Sequence, residues 1–459
     1  MSPHSYKTTH RFPRAAFILL AAFMLIVWIA GGASRADVLG QVVVRIAAWL
    51  ILIVTVLVLP RPDWRATAPV TVLLAASIGL VVLQLVPLPS SLWANLPGRE
   101  VLAQTAIVIA QPQPWRPISI SPGATVNALS SLVVPAVVLL LLAQFTARDH
   151  KRLVVLMLGL IVASGLIGVL QFAGSSFQNP FVNNVANSVS GTFANRNHFA
   201  LFIAVGCILA PVWAFGDRDA SLWKMFCAIG LITVFALVIL ATGSRAGMLI
   251  GLAAIVLGLL SVGSHFRKAI KVLPQRVWLP VVAVFIVLLV LAIVLSISLD
   301  RAVSVDRAFS LNAAEDGRTA ALPTVWQLTW LVFPIGAGFG TFDPLFRIYE
   351  PDYLLGPSYW NQAHNDWLAI VLDGGLVALI LLCTAWIWWA RRSIRVWLMS
   401  VDEQALRARA GANIILLIGL ASFVDYPART PIIMSVLVVA AVWLATGGEG
   451  DRKRSGSPR

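Results

Sequence analysis

Between residues 223 and 263 the chain reads WKMFCAIGLITVFALVILATGSRAGMLIGLAAIVLGLLSVG. Two apolar runs, 223–242 and 246–263, are parted only by Gly243, Ser244 and Arg245. About 20 apolar residues cross hydrocarbon as a helix. The stretch therefore predicts two successive membrane helices whose short turn carries an arginine at the membrane boundary. Similar runs occur at 15–33, 38–59, 68–88, 124–146, 152–173, 198–215, 278–299, 365–390, 411–426 and 430–446, for twelve in all. No ten-residue alternation of apolar and polar residues is present, which argues against a β-barrel. Helices are favoured because lipid offers no partner to exposed backbone groups.

Composition agrees. The 459 residues are 59% hydrophobic and only 12% charged, with a mean hydropathy of +0.86. Soluble domains carry roughly 25% charged residues, so this chain cannot cover a water-facing surface, and its apolar content excludes a disordered chain. The expected fold class is an all-α polytopic membrane protein, one integral domain over 1–459 with about twelve transmembrane helices. The basic N-terminus and apolar 15–30 resemble a signal peptide, but the run is long and lacks a small-residue cleavage site, so it reads as a retained first span. Cys207, Cys227 and Cys383 all sit in apolar runs without metal-ligand spacing and read as packing residues.

Orientation follows the loop cations. With a cytoplasmic N-terminus, 23 of the 34 Lys and Arg fall on the cytoplasmic side, 10 on the outer side, and Arg45 within a span. Both termini, including a basic tail at 447–459, are then cytoplasmic. The net charge of +14 is a topology signal, aided by anionic lipid, and does not point to nucleic acid. Among the outer loops, 89–123 is rich in Pro and Trp, 174–197 in Asn and Ser, and 300–364 is the longest. Within the last, Leu322–Phe333 is too short to span and has Trp326 and Trp330 one turn apart, the pattern of a short interfacial helix.

Ionisable residues at the outer boundary are the candidates for chemistry. Arg245 lies in ATGSRAG, Arg318 in EDGRTAA and His364 in NQAHNDWL, all on one face. Two guanidiniums offer planar forks that match phosphate oxygens. A histidine titrating near 6.5 can take a proton from a hydroxyl at neutral pH. Taken singly, each has a plainer reading: Arg245 as a headgroup-seeking boundary arginine, Arg318 as a solvated loop charge, His364 as a cap or core histidine. Arg45 is an intramembrane charge, structural or functional, and His198 caps or lines its span. GAGFG at 336–340 reads as a turn, with a phosphate-cradling nest as the alternative. The outer carboxylates show no metal-ligand register, and no phosphate-binding Gly-rich loop faces the cytoplasm. No cofactor is expected.

At these residues the sequence resembles the O-antigen ligase/polymerase family of bacterial membrane glycosyltransferases. The resemblance covers roughly 190–390, through SGTFANRNHFALFIA (190–204), ATGSRAGMLIGL (241–252), DGRTAALPTVWQL (316–328), FPIGAGFGTF (333–342) and AHNDWLAIVLDGGLVAL (363–379). It implies a GT-C-type helical fold in the bacterial inner membrane. The implied donor is a glycan on undecaprenyl pyrophosphate, and the implied transfer is metal-independent, inverting and at the periplasmic face. Arg245 and Arg318 would bind the pyrophosphate and His364 would be the general base, with Ser244, Asn195, Asn197 and Asp366 as further substrate contacts. The acceptor, a glycan or lipid A–core, stays open, as do partners in polysaccharide assembly. A secondary transporter or lipid flippase is the competing class; it should place its ionisable or broken-helix features near the bilayer midplane, where only Arg45 clearly lies.

Overall fold

The computed structural model describes residues 14–447 except 109, 111, 176, 184–187, 217–221, 264, 267–282, 284–286, 288–312 and 357–358. The expected span 278–299 apart from 283 and 287, nearly all of the tail 447–459, and the loop residues 300–312 lie outside the described residues. The described residues are almost entirely helical. In chain order the helices are α1 (Ala15–Ala30), α2 (Leu39–Val58), α3 (Ala68–Leu83), α4 (Ser90–Trp93), α5 (Glu100–Val108), α6 (Pro122–Ser131), α7 (Val133–Leu142) and α8 (Ala147–Phe172). They continue with α9 (Arg196–Phe215), α10 (Leu222–Ala241), α11 (Arg245–Ser261), α12 (Ala313–Val332), α13 (Phe342–Tyr349), α14 (Asp366–Leu398), α15 (Glu403–Ala421) and α16 (Pro431–Thr446).

Among the described residues six helices are long and apolar enough to cross a membrane: α2, the continuous pair α6–α7, α8, α9, α10 and α14. Four shorter apolar helices, α1, α3, α11 and α16, accompany them. The chain is a helical membrane protein. Of the three cysteines, Cys207 is buried as read from the sequence, whereas Cys227 and Cys383 lie on exposed helix faces. A small apolar residue in an apolar run can face lipid as readily as the core, and the run alone does not tell which.

Helix α9 is the central pillar. Its sequence is apolar all round, the mark of a helix wrapped by others, and 94% of its span is buried. It packs against α8, α10, α11 and α15. Local signals set the helix ends. Thr146 and Asp149 form a reciprocal capping box at the start of α8. Asn195, Ser244 and Asn365 cap α9, α11 and α14 through their side-chain oxygens.

A second, smaller core gathers the outer segments. Residues Ala321, Val325, Leu328 and Val332 of α12 pack on Phe342, Leu345 and Phe346 of α13. Helix α12 is longer than the interfacial segment the sequence indicates: it begins at Ala313 and runs through Pro323. Its first half, AAEDGRTAAL, has four alanines, good helix formers, among polar residues that hide it from hydropathy. Trp326 and Trp330 remain exposed and meet edge to face. Fully buried Arg99 staples the loops around residues 97, 118 and 336, donating to the carbonyls of Pro97, Ile118 and Gly336 at 2.7, 2.6 and 2.9 Å. Burial pushes its guanidinium down to about 10, so it stays charged at neutral pH.

Loop 334–340 docks into a kink in α14. At Gly375 the backbone leaves the helical region, with φ 60° and ψ −148°, and the carbonyls freed there are taken over by the loop. Ala337 N–H donates to the Leu372 carbonyl (2.9 Å) and Gly338 N–H to the Asp373 carbonyl (2.8 Å). Gly340 N–H reaches the Asp373 carboxylate (3.1 Å) and Phe339 N–H the Gln84 side chain (3.0 Å). The amides of the glycine-rich turn are thus spent inside the protein, and the phosphate-nest alternative for GAGFG falls. A Cβ on Gly375 would lie 2.1 Å from the Pro334 carbonyl oxygen. Gly375→Ala should therefore lower stability by at least about 2 kcal/mol, from left-handed strain plus the backbone collision. Gly159→Ala, where a Cβ meets nothing within 4 Å, should be neutral or stabilising. Thermal unfolding of both variants in detergent checks the pair, and equal melting temperatures would contradict it.

Candidate functional site

The N-terminal ends of α9, α11 and α14, with the first half of α12, converge on the connection FVDYPART, residues 423–430, between α15 and α16. At its centre lies the Asp425 carboxylate, 2% exposed. One oxygen, Oδ2, accepts from Asn195 Nδ2 at 2.9 Å and Asn197 Nδ2 at 2.7 Å. The other, Oδ1, lies 3.4 Å from His198 Nε2 and 3.6 Å from His364 Nδ1. Burial alone would raise this carboxyl, but His198, His364 and Arg318 hold it well below the ordinary carboxylate range. Asp425 is a permanent anion.

Several of the candidates named from sequence lie around it. Ser244 Oγ donates to Asn197 Oδ1 at 2.7 Å while accepting from Gly247 N–H at 2.8 Å. Arg245, next along the chain, is half-buried at the first position of α11. Arg318 is half-buried on α12, not in a loop, and its Nη1 lies 3.4 Å from the Val424 carbonyl. His364 has φ 50°, a left-handed conformation unusual for a residue with a side chain. Its ring packs on Tyr426 (centroids 5.0 Å apart) and edge-on to Trp360 (5.8 Å). Burial pushes the imidazole below its usual value, with the Arg318 charge adding to the effect; the Asp425 carboxylate pulls it upward. His364 is therefore neutral, and able to accept a proton, at neutral pH. Burial also lifts the Tyr426 phenol to about 12, so it keeps its proton.

Asn195, Asn197 and Ser244 hold one another and Asp425. His198, which the sequence left as a cap or lining residue, flanks the same carboxylate and packs edge-on against Tyr426. Asp366 lies apart, in a second cluster. Its Oδ1 accepts from Arg429 Nε at 2.9 Å, and Arg429 Nη2 is 3.9 Å from Asp373 Oδ2. These two carboxylates raise the Arg429 guanidinium although its burial works the other way. Asp425, Tyr426 and Arg429 were not singled out as site residues by sequence. The signal was available, since an Asp-Tyr-Pro interruption between apolar runs is an ionisable group at the same boundary as Arg245.

The second cluster faces a cavity of about 1050 Å³ between α2, α3, α6, α7, α14, α15 and α16. Of segment 359–366 the cavity touches Tyr359, Asn361, Gln362 and Asp366, but not His364; Arg245 and Arg318 are absent from its wall as well. Arg45 lines it and donates to Asn127 Oδ1 (2.7 Å) and Ser130 Oγ (2.9 Å), so this intramembrane cation is anchored by polar side chains.

Residues 229–383, about a third of the chain, match the family model described as O-antigen ligase. Over that segment the chain is similar to the O-antigen ligase family. The matched segment contains Arg245, Arg318, His364 and Asp366; Asn195, Asn197 and Asp425 lie outside it. The match supports glycosyltransferase-type activity with glycan and lipid-linked substrates. Among curated proteins none matches the chain.

The geometry makes Asp425 the organiser of His364. Replacing Asp425 by Asn keeps the size but removes the anion that favours the imidazolium, so the His364 titration should move further down in pH. Loss of the buried charge-assisted bonds should cost about 1–3 kcal/mol. Histidine-selective NMR in detergent reads the first and thermal unfolding the second. An unchanged or raised His364 titration would contradict the assignment.

Proposed function

We propose that this protein transfers a glycan from undecaprenyl pyrophosphate to a sugar hydroxyl at the periplasmic face of the bacterial inner membrane, as an O-antigen ligase or as an O-antigen or exopolysaccharide polymerase. The observation that carries the reading is the continuous polar chain Ser244–Asn197–Asp425–His364, which joins the start of α11, where Arg245 sits, to the candidate base, with Arg318 alongside.

In this reading His364 Nδ1 faces Asp425, which leaves Nε2 to take the proton. The acceptor hydroxyl gives its proton to Nε2 as its oxygen attacks the anomeric carbon. The bond from that carbon to the pyrophosphate oxygen breaks, and the electron pair leaves with the pyrophosphate. One attack inverts the anomeric centre. Arg245 and Arg318 neutralise the charge that grows on the leaving group, the part a divalent ion plays elsewhere. The outer helix ends add their positive dipole ends to the same region. Asp425 steadies the imidazolium and fixes its tautomer, as the carboxylate of a catalytic triad does. At 3.6 Å the contact is loose, and such contacts tighten when substrate binds. Asn195, Asn197 and Ser244 have their polar atoms engaged with protein partners, so they position Asp425 rather than touch substrate.

His364→Ala should lower transfer by on the order of 10²–10⁴-fold without unfolding the protein, the usual range for a lost general base. Arg245→Ala and Arg318→Ala should abolish transfer, and Arg318→Lys should restore little, since a point charge lacks the planar fork. An in vitro assay with a polyprenyl-pyrophosphate glycan checks all four; full transfer by His364→Ala would defeat the mechanism. The same assay followed against pH should decline as pH falls through the His364 titration, below 6.5. It should also survive EDTA, and strict dependence on added magnesium would remove the arginines from their role. Surface polysaccharide of a deletion strain separates the two activities. One-unit chains mark a polymerase, and full-length chains stranded on the carrier mark a ligase.

A further inference from the structure

A carboxylate offers about four lone-pair sites, two on each oxygen. On Asp425 three of them are filled. Asn195 Nδ2 and Asn197 Nδ2 take both sites of Oδ2, at 2.9 and 2.7 Å. The backbone N–H of Tyr426 takes one site of Oδ1, at 3.0 Å. One site is left, and two imidazoles face it: His198 Nε2 at 3.4 Å and His364 Nδ1 at 3.6 Å. Both contacts are longer than a settled N–H···O bond, and both nitrogens are buried without another partner. A buried N–H that lacks an acceptor is costly, so the two rings compete for that site. Tyr426 packs against both of them, its ring centroid 5.3 Å from that of His198 and 5.0 Å from that of His364. His198 rides on the first turn of α9, the central pillar, and is 2% exposed. The function proposed above gives it no part.

We propose that His198 is a positioning residue for the base: it competes with His364 for the last acceptor site of Asp425 in the resting protein, and yields that site when His364 takes the proton of the acceptor hydroxyl. The inference rests on the transfer reading above and adds a control on its base. A carboxylate held by one imidazole alone favours the imidazolium, which is no base. With His198 drawing on the same oxygen, as a neutral N–H donor or as an imidazolium, that pull is diluted. The charged and titratable groups facing His364 are Asp425 and Tyr426 on the 423–430 connection, Arg318 on α12 and His198 on α9. Burial works against a charge on His364, as do Arg318 and His198; Asp425 alone favours it. Tyr426 keeps its proton and adds no charge. During transfer the hydroxyl proton passes to His364 Nε2, and Nδ1–H of the new imidazolium closes on Oδ1 as His198 gives way. When His364 releases its proton to water, His198 recovers the site. The exchange is reversible, and no proton has to reach His198.

The test follows the His364 titration by histidine-selective NMR on full-length protein in detergent, the signal being assigned by its loss in His364→Ala. His198→Phe keeps a ring against Tyr426 but offers nothing to Oδ1. It should move the His364 titration up by at least about 0.5 pH unit, because a carboxylate left to one imidazole favours the charged form. His198→Gln still offers an amide N–H and should move it less. In an Asp425→Asn background His198→Phe should also move it less, since the route runs through the carboxylate. His198→Leu gives the same comparison should the phenylalanine variant fail to fold. A titration that stays put or falls in His198→Phe, or that rises as far in His198→Gln, overturns the shared site. A rise as large in the Asp425→Asn background overturns the route through Asp425. The polyprenyl-pyrophosphate transfer assay separates this inference from the reading it rests on. The acid limb of its pH profile should move up in His198→Phe together with the His364 titration. An NMR shift with no move of the acid limb removes His364 as the base and leaves the shared site standing. An acid limb that tracks His364 in the unaltered protein, with no NMR shift in His198→Phe, removes this proposal and leaves the base standing.

Discussion

A single buried carboxylate organises one end of this helical assembly. Asp425 sits where water does not reach, and an isolated anion there would be expelled or protonated. It persists because two amides and two imidazoles from two other parts of the chain, 195–198 and His364, surround it. Each of those partners is in turn fixed by a helix end: Asn195 caps α9, Asn197 ties to the cap of α11, and His364 immediately precedes the cap of α14. The anion therefore does the work of a bolt through several helix termini. It also determines that the imidazole next to it is oriented, while burial and a nearby guanidinium keep that imidazole uncharged.

Much of this was readable from sequence because lipid is a severe solvent. Long apolar runs announce helices, and a charge next to such a run stands out, which is how Arg245, Arg318 and His364 came forward together. Asp425 escaped for the same reason in reverse. It was absorbed into a run taken as 411–426, where one carboxylate barely moves a window average. Helix α12 was underestimated because its first half is polar, and propensity, not hydropathy, governs such a segment. The glycine-rich turn was ambiguous because a nest and a docked loop share one composition; only the partners of the amides, on α14 and Gln84, distinguish them.

The cavity lay beyond sequence reading altogether. Its wall is assembled from helices hundreds of residues apart. Among its elements, α14 is folded so that Trp386 stacks on Trp367, beside Asp366, and the kink that allows this is possible because loop 334–340 supplies the hydrogen bonds that the helix gives up at Gly375.

One contact has a consequence for biogenesis. Asn195 and Asp425 are bonded across 230 residues of sequence. At ribosomal speeds of about 5–20 residues per second, the carboxylate emerges on the order of 10–50 s after the asparagine. Throughout that interval the start of α9 sits in the translocon or bilayer with its polar cap unmet, and the neighbouring helices can insert but cannot lock. Final assembly of the outer face thus waits on the last hairpin, α15 and α16. A nascent chain halted before it would be inserted yet lack its organising ion, leaving an open seam for membrane quality-control proteases to recognise.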